Sequence, residues 1–89
     1  MRDLFLKQLT LTDENGQLRD YDYFITIDEM DVGRFSCEGY GIRIEERGGC
    51  RAAVHGITTS IARIDELSEL ILRNEVTPTT LADVVSDWL

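Results

Sequence analysis

A chain of 89 residues has room for one domain and no second core, and it can bury only about 60–65% of its unfolded surface, so modest stability is expected. Nine Lys and Arg against 17 Asp and Glu leave a net charge of -8, and the nearest approach to a basic cluster is the pair Arg47 and Arg51 around a turn. That balance excludes a nucleic-acid-binding face and disfavours an anionic membrane.

Hydrophobic residues make up 43% of the chain and charged residues 29%, with a single proline, which is ordinary for a globular domain without repeats or low-complexity stretches. "MRDLFLKQL" lacks the apolar run of a signal peptide, and no stretch approaches the ~20 apolar residues of a membrane span. Two cysteines do not make a disulfide framework. A reduced, cytoplasmic protein is the expectation.

Residues Asp3 to Thr12 are rich in strand formers, and Asn15-Gly16 follows, the dipeptide that suits a type I′ hairpin turn. The return strand is Leu18 to Asp28. A two-residue Asn15-Gly16 loop sets Leu6 opposite Ile25 and Leu4 opposite Ile27, with Tyr21 and Tyr23 continuing the ladder. "EMDVGR" breaks the alternation, with Gly33 as the turn residue.

A third strand spans Phe35 to Glu46 and a fourth Arg51 to Ile57. A Gly48-Gly49 loop would set Ile42 opposite His55 and Ile44 opposite Ala53. A three-residue loop sets Ile44 opposite Val54 and Ile42 opposite Gly56, with His55 facing out beside Arg43. The second register separates apolar from polar side chains better and is preferred. Apolar parity changes from Phe35 and Cys37 to Tyr40, Ile42 and Ile44, which predicts a bulge in this strand near Gly39 and Gly41.

After Ile57 the period becomes 3.6. Ile61, Ile64, Leu67, Ser68, Ile71 and Leu72 form one stripe, capped by Thr59 or Ser60. Thr77-Pro78 predicts the cap and first residue of a last helix, whose apolar face is Leu81, Val84, Val85 and Trp88. The expected fold is α+β: a four-stranded antiparallel sheet followed by a C-terminal helical hairpin packed on one face. It is a single domain over 1–89, with the sheet in 1–57 and two helices in 58–89.

Candidate chemistry is sparse. Gly39-Tyr40-Gly41 lacks the third glycine of a dinucleotide loop, and no Gly-Lys-Ser/Thr tripeptide occurs. His55 has only Cys37 or Cys50 for a dyad, and no C-x-x-C suggests zinc. The carboxylates sit at turns and on polar helix faces, with Asp83 and Asp87 placed near a helix C-terminus, where negative charge is disfavoured. No catalytic, cofactor-binding or metal-binding residues, and no cofactors, are therefore expected. Trp88 and Leu89, with Tyr21 and Tyr23, are the candidate interface, Trp88 otherwise closing the core with Val84 and Val85. The favoured function is a non-enzymatic interaction or regulatory module, self-associating or with a protein partner, and with neither nucleic acid nor membrane as partner. The alternative is a small-molecule binder or minor enzyme on the Gly39–Gly56 hairpin using Tyr40, Arg43 and His55, against which the preferred register counts by placing Tyr40 and His55 on opposite faces.

Tyr40-Gly41-Ile42, Ile57-Thr58, and Val76-Thr77-Pro78 through Leu81, Val84 and Asp87-Trp88-Leu89 resemble a family of short uncharacterised proteins from Gram-positive bacteria, a domain of unknown function. The likeness covers most of the chain and rests on strand and cap residues. It implies a compact bacterial domain and carries no catalytic residue, cofactor or activity.

Overall fold

The computed structural model describes residues 2–89. Strands β1 (Arg2–Thr12), β2 (Leu18–Val32), β3 (Phe35–Glu46) and β4 (Arg51–Thr58) are followed by helices α1 (Ile61–Arg73) and α2 (Leu81–Trp88). The strands lie in chain order in one antiparallel sheet, because each is joined to the next by a short turn. The α+β architecture is as expected.

The first turn is wider than Asn15-Gly16 predicts. The Asp13 amide donates to the Gln17 carbonyl at 2.9 Å, and the Gly16 amide donates to the Asp13 carbonyl at 3.0 Å. The Asp13 carboxylate also accepts from the amides of Asn15 and Gln17, both at 2.9 Å. Positive φ falls on Gly16, at 78°, and not on Asn15, so the type I′ requirement for two such residues is not met. A bulge at Leu6, between Phe5 and Lys7, then shifts the ladder again. Leu4, not Leu6, stands opposite Ile25, and Arg2 stands opposite Ile27.

The turn between β3 and β4 is a three-residue loop, with the Glu46 amide donating to the Cys50 carbonyl at 2.9 Å and Gly48 at φ 72°. It is centred one residue earlier than expected, so Ile44 pairs with Ala52 and Ile42 with Val54. A slip of two residues leaves every side chain on its face. Ala52 and Val54 are accordingly half-buried, and Ala53 and His55 exposed.

One face of the sheet is apolar. Tyr23 pairs with Ile44 and Ile25 with Ile42, and these four join Tyr21, Ile64, Leu67, Ile71, Val76, Leu81 and Val85 in one buried cluster. Each full burial of such an aliphatic side chain contributes about 1.5–3 kcal/mol. The Tyr23 hydroxyl is satisfied by donating to the Val76 carbonyl at 2.7 Å.

The bulge predicted within β3 is not there. The β2–β3 ladder runs unbroken from Tyr21↔Glu46 to Val32↔Phe35. The irregularity belongs to β4, where the register jumps between Tyr40↔Thr58 and Ile42↔Val54 so that His55, Gly56 and Ile57 oppose Gly41. Gly56 takes φ 61° to make the detour. The detour brings β4 over Gly41, where a Cβ would stand 2.2 Å from the Val54 carbonyl oxygen and 2.8 Å from the His55 Cα. The glycine in the strand pattern marks a close backbone approach.

Ser60 caps α1 by accepting from the Arg63 amide at 3.3 Å. The helix ends with the Val76 amide on the Ile71 carbonyl at 3.1 Å and the Glu75 amide on the Leu72 carbonyl at 3.3 Å. This is a Schellman closure, with Glu75 at φ 52° where glycine is usual. The second helix starts three residues later than Thr77-Pro78 predicts: Thr77 to Thr80 form a turn closed by the Thr80 amide on the Thr77 carbonyl at 3.1 Å. The later start puts Asp83 in the first turn of α2, where the helix dipole favours it. Only Asp87 stays near the C-terminus.

Candidate interaction surface

The second face of the sheet is built from the alternate positions. Phe5, Phe24, Arg43 and Ala53 form one row across all four strands by pairing. The rings of Phe5 and Phe24 meet edge to face at 5.5 Å, and the Arg43 guanidinium lies 4.1 Å from the centre of the Phe24 ring. Arg43 also pairs with Asp3, and its Nε lies 3.3 Å from Glu45. Phe5 remains 53% exposed. The neighbouring row, Gln8–Asp22–Glu45–Arg51, is polar throughout, and Arg47 reaches Asp22 at 3.3 Å.

Among the described residues, β1 pairs as far as Arg2↔Ile27 and β4 as far as Tyr40↔Thr58. From Asp28↔Gly39 to Val32↔Phe35, β2 and β3 continue as an arm without a further strand paired to them among the described residues. Gly33, at φ 65°, takes the first position of its two-residue turn, as a type II′ turn requires. The molecule is correspondingly long, 52 × 24 × 17 Å.

Amphipathicity inverts along the arm. In the body, odd positions of β2 and even positions of β3 face the core. Carried onward, that face holds Glu29, Asp31, Ser36 and Glu38, while Cys37 and Phe35 take the opposite face, at positions paired with Met30 and Val32. Phe35 is 78% exposed. The parity change in the sequence is thus a reversal of which face is apolar, with no inserted residue. Sequence reasoning missed the arm because it took that reversal for a bulge.

The other sequence candidates are dispersed. Tyr21 and Tyr23 are core residues in the single chain, 8% and 0% exposed. Burial pushes the Tyr23 hydroxyl up to about 12 and raises that of Tyr21. Trp88 is half-buried against the core beneath the Arg63 guanidinium, 4.2 Å from its ring, and Leu89 is 74% exposed. Tyr40 packs against the core cluster, while Arg43 and His55 line the second face. His55 Nδ1 lies 2.9 Å from Asp28 Oδ2, a contact that ties the β4 detour to the base of the arm. Cys37 and Cys50 are free thiols.

At the opposite end of the sheet, a cleft of about 690 Å³ is lined in part by Asp13, Glu14, Arg19, Tyr21, Glu46 and Glu75. Its one guanidinium is already held, at 3.0 Å from Asp13 and 2.8 Å from Glu46. The Gln17 amide, then Arg19, holds the Asp13 carboxyl below its ordinary range. Among the described residues no group of three or more His, Cys, Asp and Glu is placed to hold a metal ion. No helix among them is long and apolar enough to cross a membrane.

A four-stranded antiparallel meander followed by two helices defines a small α+β domain. Residues 2–89 match the family described as Family of unknown function (DUF6514), and the chain belongs to it. No curated protein and no solved structure matches the chain.

Proposed function

We propose that this domain is a small non-enzymatic protein-interaction or regulatory module of a cytoplasmic bacterial protein. In this reading both helices cover the sheet face that carries Tyr23, Ile25, Ile42 and Ile44, leaving the other face and the arm for a protein partner. The observation that carries it is the arm. A two-stranded hairpin is marginal in water on its own, yet among the described residues this one extends beyond the pairing of β1 and β4, with Phe35 78% exposed at its tip. An apolar side chain held out from the body on such an element is best explained by a protein that covers it. Leu89, 74% exposed beside the half-buried Trp88, offers a second apolar contact at the end of α2.

The reading is tested by chemical cross-linking in extract of cells that make the protein, comparing wild type with Phe35→Asp. The expected result is a cross-linked adduct, to itself or to another chain, that is lost in the variant. An unchanged set of adducts, or none, removes the proposal.

A further inference from the structure

We propose that the outer edge of β1 pairs antiparallel with the same edge of a second copy, joining two sheets edge to edge about a twofold axis through Thr10. The inference goes beyond the reading above: it concerns a different surface from the arm and holds whether or not the arm has a partner.

β1 comes first in the sheet order, so among the described residues one of its sides has no strand beside it. Backbone alternation fixes which of its groups face that way. The Arg47 amide donates to the Asp20 carbonyl at 2.9 Å, so the Asp20 backbone is turned towards β3. Its β1 partner, Thr10, therefore points its own N–H and C=O away from β2. The bond from the Asp13 amide to the Gln17 carbonyl, one pair beyond Thr12↔Leu18, gives the same phase. Gln8 and Thr12, two residues to either side of Thr10, present their backbone outward in the same way, and all three residues are exposed. On the N-terminal side, the bulge at Leu6 and the charge of Lys7 interrupt the edge, as devices against strand pairing do. The open length is Gln8–Thr12.

Self-complementarity names the occupant. Lys7 to Asp13 read KQLTLTD. Pairing about Thr10 sets Thr10 opposite Thr10, Gln8 opposite Thr12, Leu9 opposite Leu11 and Lys7 opposite Asp13 of the other copy. Lys7 and Leu9 stand beside Tyr23 and Tyr21, on the apolar face of the sheet, where Leu9 and Leu11 are half-buried. Asp13 lies 3.0 Å from Arg19, which shares that face. Leucine thus meets leucine and each cation meets an anion. The outward pairs exchange two hydrogen bonds each.

Neighbouring registers do worse. Pairing about Leu9 sets Lys7 against Leu11, and pairing about Leu11 sets Leu9 against Asp13; each also carries an outward pair into the bulge or the turn. Across most of its surface a chain of net charge -8 repels its own copy. This stretch has no acid between Lys7 and Asp13. The contact is isologous and closes at two copies. An edge this short falls below the ~800 Å² per partner of a standard interface, so the dimer is weak, with a Kd of about 10 μM to 1 mM.

Sedimentation velocity up to about 1 mM tests the inference on wild type, Thr10→Pro, Lys7→Glu and Phe35→Asp. Proline is tolerated at an edge position whose N–H faces solvent, and circular dichroism checks the fold. The expected result is a concentration-dependent wild-type dimer whose Kd rises at least ~10-fold in Thr10→Pro and at least ~3-fold in Lys7→Glu, with Phe35→Asp unchanged. Should Thr10→Pro fail to fold, Lys7→Glu, altered at an exposed side chain, decides. In a Cys37→Ser, Cys50→Ser background, Thr10→Cys should form a disulfide dimer in oxidising buffer and Thr12→Cys should not, while mixed Gln8→Cys and Thr12→Cys chains should cross-link to each other. A chain monomeric to about 1 mM overturns the inference, as does a dimer indifferent to both β1 variants or cross-linked equally through Thr10→Cys and Thr12→Cys. A dimer lost in Phe35→Asp alone also overturns it, and places the contact at the arm.

Discussion

The hydroxyl of Tyr23, in the middle of β2, donates to the carbonyl of Val76, in the connection between the helices, at 2.7 Å and with no solvent access to the Tyr23 side chain. The contact joins residues 53 apart in the chain. Val76 is also the residue whose amide closes the end of α1 on the Ile71 carbonyl. One peptide segment thus ends a helix with its N–H and anchors the connection to the sheet with its C=O.

Tyr23→Phe leaves that carbonyl without its partner while keeping the ring. The expected loss is about 1–2 kcal/mol, a drop in Tm of roughly 4–8 °C per kcal/mol for a domain of this size. Urea denaturation of the two proteins measures it. A variant as stable as wild type would show that the bond contributes nothing.

The same side chain sets an alkaline limit. Burial first, then the neighbouring Tyr21 and Glu75, pushes the Tyr23 hydroxyl up to about 12 from the ordinary 10.0. A raised value means that the folded state favours the neutral phenol. The stabilisation is therefore complete below pH 10 and declines between pH 10 and about 12. Melting curves across that window should fall more steeply for wild type than for Tyr23→Phe.

Gly41→Ala places a methyl 2.2 Å from the Val54 carbonyl oxygen and 2.6 Å from Thr26 Oγ1. The first obstacle is backbone, so β4 must move. A cost of about 1–3 kcal/mol is expected, as for overpacking elsewhere. Amide exchange should accelerate along β4 before the β2–β3 ladder, and uniform exchange in both would count against the close approach.

Glu75 is a non-glycine residue at φ 52°. Glu75→Gly removes the left-handed penalty of an L-residue, offset by the greater freedom of glycine in the unfolded chain. A net gain of about 0.5–1 kcal/mol is expected, read as a higher urea midpoint. Lower stability would mean that the Glu75 side chain makes a compensating contribution.

Asp13→Ala removes the acceptor for the Asn15 and Gln17 amides and for Arg19. The variant should be less stable at neutral pH. Because the folded state holds the Asp13 carboxyl below 3.8, this stabilisation is present above pH 3.8 and disappears as the pH falls through the folded value. The two melting temperatures should converge in acid; a constant gap would place the effect outside the carboxylate.

Local chemistry made the elements legible. Alternation gave the strand segments, with β3 matching its predicted span of Phe35 to Glu46, and the 3.6 period found the buried Ile64, Leu67, Ser68 and Ile71 of α1. Ser60 as a cap and glycine at the turns follow from hydrogen-bond geometry within a few residues. These preferences act over one turn or one pleat, so a single chain carries them in order.

Only the tertiary structure decided what depends on distant backbone. Asp13 bridging its turn displaced the β1–β2 register from the one Asn15-Gly16 suggests. The inserted residues turned out to lie in β4, because a change of parity does not say which partner strand absorbs it. The arm became visible only where, among the described residues, the pairing of β1 and β4 ends while that of β2 and β3 continues. Periodicity reports which side chains share a face, whereas the ends of neighbouring strands report which face is left uncovered, and the second is a property of the assembled sheet.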